Sequence, residues 1–282
     1  MANHDSRLFQ ATVVSAELLT PVMRRVVLSG PGLADFDTTG HPDEWLQLFI
    51  PPAAVGRPGP DPLSRWYSVR RWEPSTRRLT IDIVVHDDGA ATGWAERAQP
   101  GDAITVSAPA GRFEPPADTA WILVAADQTA LAAASRILEE LPAGHRAWAL
   151  LEAPGPAGVV PLEVGNDVDV RWVYHPHPSG LGSPLTAAVR QFVPPPGPGY
   201  IWMAGEASCS REIRRYVRHE LGWKPARFDI VGYWRPDAER YQNRYRAAEQ
   251  ELGEIWDRGR ADGKDTGAIA DEIYAALESR GL

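Results

Sequence analysis

Cysteine is almost missing: Cys209 is the one thiol in 282 residues. A single thiol excludes an intrachain disulfide, a zinc–cysteine site and a cysteine-ligated iron–sulfur cluster. It also points to a reducing compartment. Lysine is nearly as scarce. Of 29 lysine and arginine residues only Lys224 and Lys264 are lysine, a skew that a GC-rich coding bias explains as well as any function does. No apolar run approaches the ~18 residues of a membrane span. Residues 1–12 are polar where a signal peptide would carry an apolar centre. Net positive charge is lacking too, and a balance of −8 argues against broad binding to nucleic acid or anionic membranes. The expectation is a cytoplasmic soluble protein with no nucleic-acid partner and no membrane insertion.

Hydrophobic residues make up 44% and charged residues 23%, enough for a real core, while 25 glycines and 26 prolines imply many turns. The first part reads as strands: 9–18, 23–28, 45–50, 65–72, 79–85 and 103–107. Their turns include Glu73-Pro74-Ser75-Thr76 and Pro100-Gly101-Asp102. With one short helical segment at 90–98, this predicts a small closed antiparallel β-barrel over 1–116.

The pattern changes after Pro115-Pro116. Trp121 to Ala126 is a continuous apolar run, as in a strand buried on both faces. Further strands at 147–152, 168–174, 200–204 and 228–233 alternate with helices at 129–141, 185–193 and 208–221, which predicts a parallel α/β domain over 117–237. A helical tail, 238–282, follows. Its Ile269, Ile273 and Leu277 share a face that must pack. That face could dock on the outer surface of the α/β domain or on a dimer partner. Alternatively, the tail could cross the cleft after Trp234.

Arg65-Trp66-Tyr67-Ser68-Val69-Arg70 is the densest chemical constellation. On a strand Arg65, Tyr67 and Val69 share a face. A ring that stacks, a hydroxyl and forked guanidiniums suit a flat, polar, anionic ligand. Ordinary surface arginines on a strand are the plainer reading of the segment alone. His86-Asp87-Asp88-Gly89-Ala90-Ala91-Thr92-Gly93-Trp94 ends a strand and opens a helix. Small residues and free N–H groups there favour phosphate, unless the segment is only a turn. Asp127-Gln128-Thr129-Ala130-Leu131 follows the first α/β strand, where open sheets bind ligands, but it lacks a G-x-G-x-x-G motif and is equally a helix cap. Arg211, Arg214, Arg215 and Arg218 read as a phosphate patch or a solvated helix face. The prolines of His175-Pro176-His177-Pro178 favour a loop over a metal site. Cys209 reads as a packing residue, and no metal site is expected.

These pieces together resemble the siderophore-interacting proteins, a flavoprotein branch of the ferredoxin–NADP reductase superfamily. RWYSVR (65–70), IDIVVHDDGAATGWA (81–95), PGD (100–102), DQTALAAASRILEELP (127–142), YIWMAGEASCSREIRRYVRHELG (200–222) and VGYWR (231–235) occur in family order. Gln128 and Ala132 depart from the usual Asp-Glu-Thr-Ala-Leu-Pro-Ala, and Asp87, Asp88 and Ala90-Ala91-Thr92 depart from the usual loop.

The resemblance implies bound FAD. Tyr67 would stack on the isoalloxazine, Ser68 would sit near N5, and Arg65 would pair with the phosphates. His86, Gly89, Ala90, Ala91 and Thr92 would line the pyrophosphate and ribityl region. Val69, Val85, Trp94, Asp127, Thr129, Ala130, Gly205, Glu206 and Trp234 complete the implied cofactor contacts. Arg70, Lys224 and Arg235 would attract an anionic ferric siderophore. The implied activity is a cytoplasmic FAD-dependent ferric-siderophore reductase that releases Fe(II), fed by NAD(P)H or a reduced ferredoxin. The cofactor carries the chemistry, so no side-chain nucleophile or essential acid–base pair is expected. The competing readings are a general NAD(P)H–flavin oxidoreductase with another acceptor, and a non-catalytic flavin or siderophore carrier.

Overall fold

Alternation of buried and exposed side chains along six strands shapes the first unit. They are β1 (Leu8–Thr20), β2 (Met23–Ser29), β3 (Trp45–Ile50), β4 (Leu63–Glu73), β5 (Arg78–Val84) and β6 (Ala103–Ser107). Phe9, Ala11 and Val13 of β1 and Leu46, Leu48 and Ile50 of β3 point inward into one core. The strands close into an antiparallel barrel in the order β1-β2-β5-β4-β3-β6, which leaves no free sheet edge. Helix α1 (Ala90–Arg97) adds Ala91, Trp94 and Ala95 to that core. The computed structural model describes residues 6–56, 59–85, 90–176, 183–235, 238–264 and 266–280.

The second unit is a parallel sheet of β7 (Trp121–Ala126), β8 (Arg146–Ala153), β9 (Val168–Tyr174), β10 (Gly199–Glu206) and β11 (Phe228–Trp234). Their order is β11-β10-β7-β8-β9. All six side chains of β7 are buried, because layers cover both faces. On the barrel side, Ile122, Val124 and Ala126 pack with α2 (Leu131–Glu139) and with Met23 and Phe113. On the other side, Leu123 and Ala125 pack with α3 (Leu185–Gln191) and α4 (Ala207–Arg215). The sequence-based expectation of a barrel followed by a parallel α/β domain describes this architecture.

Ion pairs staple the two units. Arg136 of α2 bonds Glu44 next to β3 at 2.7 Å, Arg70 of β4 bonds Glu139 at 2.8 Å, and Arg112 bonds Asp229 of β11 at 2.7 Å. Asp43 Oδ1 accepts from the Arg112 and Phe113 amides, both at 2.9 Å, and so holds the connection between the units.

The tail forms α5 (Ala238–Ala261) and α6 (Thr266–Ser279). They pack on each other through Ala248, Leu252, Ile255 and Leu277. Gly259 permits the close approach: a Cβ there would lie 2.6 Å from Ile269 Cγ1. Ile269 and Leu277 of the expected face are buried. Asp271 of α6 pairs with Arg218, just beyond α4 and on the sheet face away from the barrel. That ion pair ties the tail to the segment that follows α4.

Candidate site at the barrel–sheet seam

Strand β4 sends neighbouring residues to opposite sides. Tyr67 and Val69 pack on the barrel core, so Ser68 between them faces outward, beneath the second unit. The β4–β5 register shifts between Val69 and Arg71. Burial pushes the Tyr67 phenol up to about 12, against the opposing pull of Arg65, so the ring stays neutral at physiological pH. Arg65 itself is exposed, and its Nη1 donates to the Ser64 carbonyl at 2.9 Å. Ser68 is buried, yet its Oγ has no hydrogen-bond partner. The Tyr233 hydroxyl of β11 comes near without completing a bond. A buried unpaired hydroxyl costs free energy on the order of 1–3 kcal/mol unless a ligand or water satisfies it.

The phosphate-side residues are placed in part. His86 and Gly89 lie outside the described residues, as do Asp87 and Asp88, and of Ala90 only its backbone at the start of α1 is described. The Thr92 hydroxyl donates to the Val84 carbonyl at 3.3 Å, tying α1 to the end of β5. Val85 N–H donates to the Val22 carbonyl. Ala91 and Trp94 are turned into the barrel core.

Asp127 caps the turn that follows β7. Its Oδ1 accepts from Thr129 N at 2.8 Å and from Thr129 Oγ1 at 2.6 Å, opening a single 3-10 turn, Gln128–Ala130. Its Oδ2 accepts from Trp234 Nε1 at 2.8 Å, which anchors the indole at the carboxyl edge of the sheet. Burial raises the Asp127 pKa, and these hydrogen bonds oppose the rise. Gly205 is obligatory beside it, since a Cβ would stand 2.8 Å from the Asp127 carboxylate carbon. Glu206 caps α4, accepting from Ser208 N at 2.7 Å and Cys209 N at 2.9 Å.

A third buried acid went unremarked in the sequence. Glu152 ends β8, accepts from Ser183 Oγ at 2.5 Å and lies 3.5 Å from His175 Nδ1. Burial pushes its pKa up to about 7. An acid closing the apolar strand Ala147-Trp148-Ala149-Leu150-Leu151 was the available signal. Three carboxyl groups thus line the carboxyl edge of β7, β8 and β10. No group of three or more metal-ligating side chains occurs among the described residues. Cys209 is buried against Thr186, and burial pushes its thiol up to about 12, so it is inert.

The arginines and lysine expected to draw in substrate scatter. Arg70 is spent inside the seam on Glu139, with Asp82 at 3.9 Å. Lys224 precedes β11 at the amino end of the sheet, while Trp234 and Arg235 are at its carboxyl end. A seven-residue strand therefore separates Lys224 from the seam, by roughly 20 Å. Arg235 is half-buried. On α4, Arg214 bonds the Ile230 carbonyl, and Arg218 holds the tail. Neither is available as a phosphate patch.

The residues present fit FAD. Ser68 offers a buried hydroxyl without a hydrogen-bond partner, and the half-buried Tyr67 and the exposed Arg65 guanidinium precede it on the same strand. They match a hydrogen-bonding ring system with a charged tail.

Comparison with known proteins agrees. Residues 12–113 match the model of the siderophore-interacting FAD-binding domain, and residues 119–237 that of the siderophore-interacting protein. The chain is 29% identical over 246 residues to the NADPH-dependent ferric-chelate reductase of Escherichia coli K12, covering 82% of this chain and 94% of the relative. An uncharacterised Mycobacterium tuberculosis protein is 32% identical over 273 residues, covering 86% and 94%. The crystal structure of a siderophore utilization protein from T. fusca superposes with a TM-score of 0.73 at 30% identity, covering 82% of this chain and 94% of that one.

Proposed function

The chain belongs to the siderophore-interacting protein family, and from that premise we propose that it is an FAD-dependent reductase of ferric siderophores working in the cytoplasm. The observation that carries this reading is the buried, unpaired Ser68 hydroxyl between Tyr67 and the second unit. Tyr67 and Ser68 would hold the ring system, and Arg65 with the start of α1 its phosphates. Held by these residues, FAD would supply the redox chemistry, taking electrons from a donor and delivering them singly to Fe(III). Fe(II) is held less tightly by hard oxygen chelators, so reduction frees the metal. The side chains position the cofactor, exclude water from the seam and move no proton of their own.

NADPH is the donor by analogy with the Escherichia coli relative. A reduced ferredoxin is the second reading. It is favoured by the lack of a glycine-rich phosphate loop after β7, where a dinucleotide diphosphate would be held. The test is anaerobic turnover with a ferric catecholate or hydroxamate and a ferrous trap, fed in turn by NADPH, NADH and reduced ferredoxin. Trap colour dependent on FAD supports the reductase. Chelate binding without flavin reoxidation would mean a carrier instead.

A further inference from the structure

Gln128 is 4% exposed, and neither its amide nitrogen nor its amide oxygen has a hydrogen-bond partner. It is the most complete case of unmet polar demand in the seam. Gln128 opens the 3-10 turn that follows β7, and this turn touches β5 of the barrel as well as β8, β10 and β11 of the sheet. Asp127 turns toward Gly205 and Trp234. The other buried residue of the 3-10 turn, Ala130, lies in the barrel-side core with Met23, and Val84 packs on that core. Gln128 is therefore buried where the turn meets β5, near the strand end at which Thr92 holds the Val84 carbonyl.

From this we infer that the Gln128 amide is a cofactor-positioning group which hydrogen-bonds the polar edge of the flavin ring system. The inference rests on the FAD reading above. A side-chain amide offers one acceptor and two donors. The pyrimidine edge of an isoalloxazine alternates carbonyl oxygens with an N–H, so the two are complementary. An ionised carboxylate at 128 would offer acceptors only, whereas the amide matches both the donor and the acceptors of the ring edge.

The inference makes an unusual pair of demands on one substitution. Gln128→Met keeps the side chain's length and removes both polar atoms. In the apoprotein it relieves an unmet burial cost, so the melting temperature rises. In the holoprotein it deletes a ligand contact, so FAD affinity falls about tenfold. A side chain that merely packs would move both readouts downward.

The experiment is a fluorescence titration of apoprotein with FAD, and separately with FMN, without nicotinamide, alongside thermal melts. The expected result is a higher apoprotein melting temperature with about tenfold weaker binding of both flavins. Gln128→Ala, read in the same titration, stands in should the methionine variant misfold. Gln128→Glu is expected to bind FAD more weakly as pH rises. Unchanged affinity in Gln128→Met, as when a water satisfies the amide, overturns the inference. So does a loss confined to FAD, which would assign the amide to the adenine. Wild-type protein that binds no flavin removes the functional reading itself, so the two failures are distinct.

Discussion

Arg136 of α2 reaches across the seam to Glu44, its Nη1 donating to Glu44 Oε2 at 2.7 Å with both side chains buried. The same nitrogen lies 3.4 Å from the Val69 carbonyl, one residue beyond Ser68. Glu44 in turn accepts from the hydroxyls of Thr38 and Thr39 at 2.6 and 2.7 Å. One ion pair therefore ties the sheet domain, β4 and the loop before β3 into a unit. Removing Arg136 leaves the Glu44 carboxylate buried without its counter-charge, which typically costs about 3–5 kcal/mol. Arg136→Met should lose stability on that scale in urea melts. Arg136→Met/Glu44→Gln together should lose less than the sum, and strict additivity would mean the pair is not coupled.

Arg65 is exposed, so its contribution to cofactor binding should lie at the low end for a charge-assisted bond. Arg65→Ala should weaken FAD by about 1.5 kcal/mol, roughly tenfold, and flatten the salt dependence of binding. Equilibrium titration at two ionic strengths reads both. Equal affinity and an unchanged salt slope would remove Arg65 from the site.

Glu152 makes stability depend on pH. Burial raises its pKa from an ordinary 4.5 to about 7, with Asp127 adding to the rise and Ser183 opposing it. Below the unfolded value both states hold the proton and nothing is lost. Between there and about 7 the unfolded chain has released it and the folded chain has not, so stability falls as pH rises. Above about 7 the loss is constant. Glu152→Gln should be more stable than wild type at about pH 8 by up to roughly 3 kcal/mol, and the gap should close as pH falls. Urea melts across this range check the slope. A constant gap would refute the assignment.

Truncation after Arg235 tests the position of the tail. The Arg218–Asp271 pair links α6 to the helical segment beyond α4, and the expectation is that the tail docks there rather than over the cleft. The shortened protein should keep its flavin and be reduced by NADPH at the same rate in stopped flow, while melting at a lower temperature. Faster reduction would show that the tail shields the flavin after all.

Much of this could be read along the chain. Period-two alternation in Phe9-Gln10-Ala11-Thr12-Val13 and Trp45-Leu46-Gln47-Leu48 marks barrel strands. The unbroken apolar stretch Trp121–Ala126 marks a strand covered on both faces. Asp127-x-Thr129 carries its cap in its spacing, because a carboxylate accepts from the amide two residues on. Local periodicity and capping act over a few residues, so they are written where they act.

Partner choice is not local. Arg70 looks like a free cation beside Tyr67 until Glu139, 69 residues later, is folded against it. Lys224 and Arg235 are eleven residues apart, yet β11 carries them to opposite ends of the sheet. The sequence singles out Ser68 as a hydroxyl for a ligand but says nothing of its burial, and it gives Gln128 no such role. Only when barrel and sheet close on each other are their polar atoms cut off from water without a partner. Secondary structure and family order were thus determined by the sequence itself. Which charges are spent on the fold and which polar atoms wait for a ligand was decided by tertiary packing, since burial and pairing depend on residues that meet only in the folded chain.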